Sequence, residues 1–70
     1  MKKYKEHTVV YAKFNLLEDG KIIPDGTRGT IVHVYSDFAY VVEFFIDSKS
    51  IIKTVMHDQI CDKYDKFEIE

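Results

Sequence analysis

GTIVHVYSDFAYVVEFFIDSKSIIKTVM, from Gly29 to Met56, decides how this chain folds. Three runs rich in Val, Ile, Tyr and Phe (29–35, 39–46 and 50–56) are separated only by Ser36-Asp37-Phe38 and by the polar turn Asp47-Ser48-Lys49-Ser50, whose last residue opens the third run. β-branched and aromatic runs of this length, bounded by turn residues, read as strands joined in hairpins. In the middle run, Tyr40, Val42 and Phe44 fall on one face, and Val41, Glu43 and Phe45 on the other. The first triplet is wholly apolar and is the expected core face.

Upstream, Thr8–Leu16 reads as the first strand, with Val10, Ala12 and Phe14 facing inward and Val9, Tyr11 and Lys13 opposite. Asp19-Gly20 ends it. Downstream, a short helical turn is expected near residues 57–60, with a closing strand from Ile60. No window shows helical periodicity before residue 56. In a chain of 70 residues, strands at 8–12-residue spacing close most economically as one barrel of about five antiparallel strands. The expectation is one all-β, SH3-like domain over residues 1–70, with its core in 8–62 and an acidic tail in 63–70.

Gly26 and Gly29, three apart ahead of an apolar run, raise the question of a phosphate loop. Such a loop needs four residues between its glycines and a Lys-Ser/Thr pair after them, and neither is present. A dinucleotide fingerprint needs a third glycine and a helix. The segment reads instead as a corner: Pro24 fixes φ at its first position, Gly26 permits positive φ, Gly29 leaves room for a bend, and Ile23 anchors the loop to the core.

Composition narrows the function. The chain carries 10 basic and 12 acidic residues, a net charge of -2, and 46% apolar residues with ten aromatics. That is a folded chain without the basic surplus of a nonspecific nucleic-acid binder. The lone Cys61 forms no internal disulfide, which fits a reducing cytoplasm. The lysine-rich start lacks the apolar core of a signal peptide, and no stretch has the roughly 18 apolar residues of a membrane helix.

Ile-Pro-Asp-Gly-Thr-Arg-Gly-Thr-Ile-Val-His-Val-Tyr (23–35) followed by Ala-Tyr-Val-Val-Glu-Phe (39–44) resembles a family of small bacterial proteins. These carry a domain of unknown function, with a G-x-x-G-T-V-V loop and a Y-x-V-E-F strand. The resemblance spans about residues 8–62, and its first half is shared with KOW and Tudor-like modules. It implies an SH3-like barrel. Family members are often free-standing proteins encoded beside larger ones, in the manner of antitoxin or immunity proteins. No catalytic residue carries over. The chain departs from the pattern in its 63–70 tail and in Ile31-Val32, whose inward member stays open.

Chemistry-bearing residues are sparse. His7, His33, His57 and Cys61 are the only nitrogen and sulfur candidates for a zinc site that needs four, and they are scattered. His57 is expected to face solvent at a strand end and Cys61 to be a small buried residue. Asp58 and Asp62 near Cys61 disfavour a reactive thiolate. A small barrel filled with side chains leaves little room for a substrate. No enzyme, no catalytic residue, no metal and no cofactor is therefore expected.

The expected function is a protein-binding module, an antitoxin- or immunity-type partner of a toxin or enzyme, acting in the bacterial cytoplasm and not at a membrane. Its candidate surface is Val41, Glu43 and Phe45, flanked by Tyr35, Phe38, Asp37 and Asp47, since aromatic anchors ringed by polar groups are typical of interfaces. The tail acids Asp62, Asp65, Glu68 and Glu70 would steer a cationic partner. The alternative is a nucleic-acid or ribosome-associated KOW-like module, using Lys2, Lys3, Lys5, Arg28 and exposed tyrosines. Against it, Arg28 is the only arginine. A third reading is a homodimer through the second apolar face, unless the N-terminal arm or the tail covers that face.

Overall fold

A computed structural model describes residues 3–63 of the chain. Its elements are β1 (Val9–Ala12), β2 (Leu16–Glu18), β3 (Lys21–Ile23), β4 (Arg28–Ser36), β5 (Ala39–Ile46), β6 (Lys49–Met56), a 3-10 turn (His57–Gln59) and β7 (Ile60–Cys61). Five strands form an antiparallel sheet in the order β6-β5-β4-β1-β7, which curls into a half-barrel, and β2-β3 form a separate two-stranded hairpin. This is the expected all-β class, a barrel-like fold with five antiparallel strands in its main sheet.

The long central hairpins form where the apolar runs predict them. Tyr40, Val42 and Phe44 are all buried, together with Val10, Ala12, Leu16, Ile23, Ile31, Val55 and Ile60. β4 departs from simple alternation. Its pairing with β5 shifts between Ile31 and His33 and again between Val34 and Ser36. Each bulge adds a residue to one strand and re-aims the side chains beyond it. Val32 and Tyr35 are the extra residues; Ile31 is buried, Val34 packs on the core, and Val32 is exposed.

The glycine corner is built as a turn in which Thr27 N donates to Pro24 O at 3.0 Å. Gly26, at the third position, has φ 91°, the conformation that position favours in glycine. Ile23 is buried and anchors the loop.

Three expectations are corrected. The first strand does not run to Leu16: β1 stops at Ala12, and Phe14 is 55% exposed rather than in the core. Beyond Ala12 the backbone turns to other partners, with Lys13 N donating to Gln59 O and Gly26 N to Ala12 O. Asn15 Oδ1 accepts from Asp25 N at 2.8 Å, tying the two ends of the hairpin excursion together. Asp19-Gly20, with φ of 56° and 76°, does not merely end a strand but turns β2 into β3. The Asp47–Ser50 turn contracts to two residues, Asp47 and Ser48, with Ile46 pairing Lys49.

The N-terminal arm closes one end of the core instead of covering the outer face. Tyr4 packs on the core cluster beside Tyr40, its ring stacked on His57 at 4.9 Å and 10°. Its amide donates to Tyr40 Oη at 3.2 Å. Thr8 O and His7 N bond Ile31 N and O, which fixes the arm to β4. The expected roles of Lys2 and of Asp65, Glu68 and Glu70 in the tail lie outside the described residues.

Candidate functional site on the outer face of the sheet

Alternation along β5 turns Val41, Glu43 and Phe45 away from the core. Val41 and Glu43 are half-buried by their neighbours, and Phe45 is 49% exposed. Directly opposed residues share a face, so the register shows what surrounds them. Glu43 lies between Thr30 of β4 and Ile52 of β6, and Val41 lies between His33 and Thr54. Phe45 opposes Ser50. Arg28, the residue before the Gly29–Phe44 pair at which the β4–β5 ladder ends, pairs with Tyr11 of β1. Ile52 (57% exposed) and Met56 (44%) extend the apolar content of this face onto β6.

The seven residues expected to form the surface therefore divide. Val41, Glu43 and Phe45 come together. Tyr35 is a bulge residue, 65% exposed, set edge-on to the His33 ring at 5.4 Å. Asp37 and Phe38 form the β4–β5 turn, and Asp47 begins the β5–β6 turn at the other end of β5. Eight residues of strand separate the two turns, about 26 Å. Asp37 is also engaged, in an exposed ion pair with Lys3 at 3.2 Å. The acidic residues are thus not a ring around Phe45, and Val9 is separated from the β5 residues by Thr30.

Ile52 and Met56 belong to the face and are absent from the expected set. Their signal was the same alternation, applied to β6 once the preceding turn is taken as two residues. Phe38 instead joins Met56, His57 and Asp58 around a shallow cleft of about 190 Å³. A second exposed apolar pair, Leu17 opposite Ile22, sits on the β2–β3 hairpin.

The chemistry-bearing side chains are dispersed. His57 does not face solvent: it is half-buried under Tyr4, and its Nε2 is buried with no hydrogen-bond partner among the described residues. Cys61 Sγ lies 3.9 Å from Tyr11 O as a weak donor. No three His, Cys, Asp or Glu residues come together among the described residues. Nor does any described helix have the length and apolarity to cross a membrane. No protein-family model, curated protein or solved structure matches the chain.

Proposed function

We propose that the protein is a non-enzymatic binding module that docks another protein through the outer face of β5 and β6, as an antitoxin- or immunity-type partner in the bacterial cytoplasm. The observation that carries this reading is the exposure of Phe45, Ile52 and Met56 along the outer face of β5 and β6. Large apolar groups clustered on a regular surface favour a partner that removes them from water. Glu43 at the centre and Arg28 at the margin supply the polar contacts that fix register. The antitoxin or immunity role rests on the sequence resemblance alone.

Nucleic-acid binding is the second reading, and the Tyr11–Arg28 pair favours it, since an aromatic group beside a guanidinium can stack on bases. Recovery of partners by the tagged full chain, washed at low and high salt with a parallel nuclease-treated sample, separates the two. A stoichiometric protein retained at high salt supports docking. Nuclease-sensitive, salt-labile recovery supports nucleic acid, because phosphate contacts weaken steeply with salt.

A further inference from the structure

The outer edge of the sheet is a second and separate feature. β6 is the terminal strand of the order β6-β5-β4-β1-β7, is eight residues long and contains no proline. The two-residue turn makes Ile46 and Lys49 a hydrogen-bonded pair. Such pairs recur at Phe44–Ile51, Val42–Lys53 and Tyr40–Val55. Ser50, Ile52, Thr54 and Met56 consequently direct their backbone N–H and C=O groups away from β5. Met56 shows this directly: its N–H donates to Gln59 Oε1 at 2.8 Å, which caps that end of the edge. Ser50, Ile52 and Thr54 make no backbone hydrogen bond to any other described element. The β2–β3 hairpin stands near, with Glu18 Oε1 3.4 Å from Lys53 Nζ, yet a cleft of about 290 Å³ lined by Lys21, Ile22, Lys49, Ser50 and Ile51 keeps it from sealing the strand.

We propose that this edge is a homodimer interface, in which two copies pair β6 with β6 antiparallel about a two-fold axis through Ile52. The inference rests on the backbone of the edge and not on the docking function above, although Ile52 belongs to both surfaces. The sequence of the strand is self-complementary in this register. Ile52 meets Ile52 and Ser50 meets Thr54 on the outer face, while Ile51 meets Lys53 on the inner face. All three free residues exchange both backbone groups, giving six hydrogen bonds by the antiparallel pattern. Centring instead on Ile51 sets Lys49 against Lys53, and centring on Lys53 sets that residue against itself, so like charges disfavour both neighbouring registers. An isologous contact of this kind closes at two copies and hides an edge that would otherwise template aggregation.

The contact is small beside the 20–30 residues a side of a typical stable interface, so association is reversible and falls between about 10 μM and about 1 mM. Sedimentation equilibrium across that range tests it on the full chain. The average mass is expected to climb from one chain to two. Thr54→Pro removes an N–H that β5 does not use, in a position an edge strand tolerates, and is expected to stay at one chain throughout. Thr54→Val keeps the N–H and should behave as the parent. A parent that stays monomeric, or a folded Thr54→Pro that still dimerises, overturns the proposal. Amide exchange of the parent decides independently, should Thr54→Pro not fold. The Ile52 and Thr54 amides should exchange about tenfold more slowly when nine-tenths of the chains are dimeric. Protection that does not change with concentration would mean that the chain's own residues cover the edge, and would also overturn it.

Discussion

Gly29 lies so close under Val42 that a Cβ placed on it would stand 2.7 Å from Val42 Cγ1, and 2.9 Å from both Glu43 O and Phe44 Cδ1. Gly29 pairs with Val10 on one side and Phe44 on the other, at the crossing of β1, β4 and β5. The missing side chain is what lets β4 pass under the β5 core face. Gly29→Ala therefore forces apart backbone as well as side chains, and should destabilise the domain by about 1–3 kcal/mol as overpacking. Urea unfolding monitored by circular dichroism reads this as a lowered midpoint. An unchanged midpoint would mean that the strands can separate freely here.

The β5–β6 turn carries the opposite imbalance. Asp47 and Ser48 both have positive φ, 50° and 68°, the backbone of a tight hairpin that favours Asn-Gly. A side chain at Ser48 holds that conformation against its own sterics. Ser48→Gly should stabilise the domain by about 0.5–1 kcal/mol, the relief of that strain outweighing glycine's greater unfolded freedom. Thermal melts would show it as a rise in midpoint; a fall would mean that Ser48 makes a compensating contact.

Tyr4 is the plug at the other end of the core, stacked on His57 and bonded through its amide to the Tyr40 hydroxyl. Tyr4→Ala should cost about 1–2 kcal/mol by loss of that half-buried ring and its stacking. Tyr4→Phe should cost less than Tyr4→Ala, because the ring contacts with Tyr40 and His57 remain. Equal losses in the two variants would assign the effect to the hydroxyl.

How far the fold was legible depends on where alternation holds. Tyr40, Val42 and Phe44 alternate through an unbroken strand, and their burial follows from period two alone. Ile31 and Val32 could not be separated because the bulge at Val32 breaks the period between them, and nothing local marks it. Phe14 was misplaced by carrying alternation past Ala12, where Asn15 and Asp25 bind each other and end the ladder. Lys21–Ile23 is too short to announce itself, although Asp19-Gly20 is a strong hairpin turn. In the candidate site, Val41, Glu43 and Phe45 were legible for the same reason as the core triplet. Asp37 and Asp47 stand near them in sequence, but the length of β5 holds the two acids at opposite ends, and Phe38 meets the face only through Met56. The Tyr4–His57 stack joins distant positions and has no sequence signal at all.

The central claim is that β5 divides its labour, with one face holding the core and the other meeting a partner. The most direct test compares Phe44→Ala with Phe45→Ala, measuring unfolding and partner recovery on the same preparations. Phe44 is fully buried, and its truncation should cost about 3–5 kcal/mol and unfold a domain this small. Phe45→Ala should change stability by no more than about 0.5 kcal/mol and lose the partner that the parent chain retains at high salt. If both variants unfold equally, the outer face is structural; if Phe45→Ala is stable and still recovers the partner in full, the site lies elsewhere.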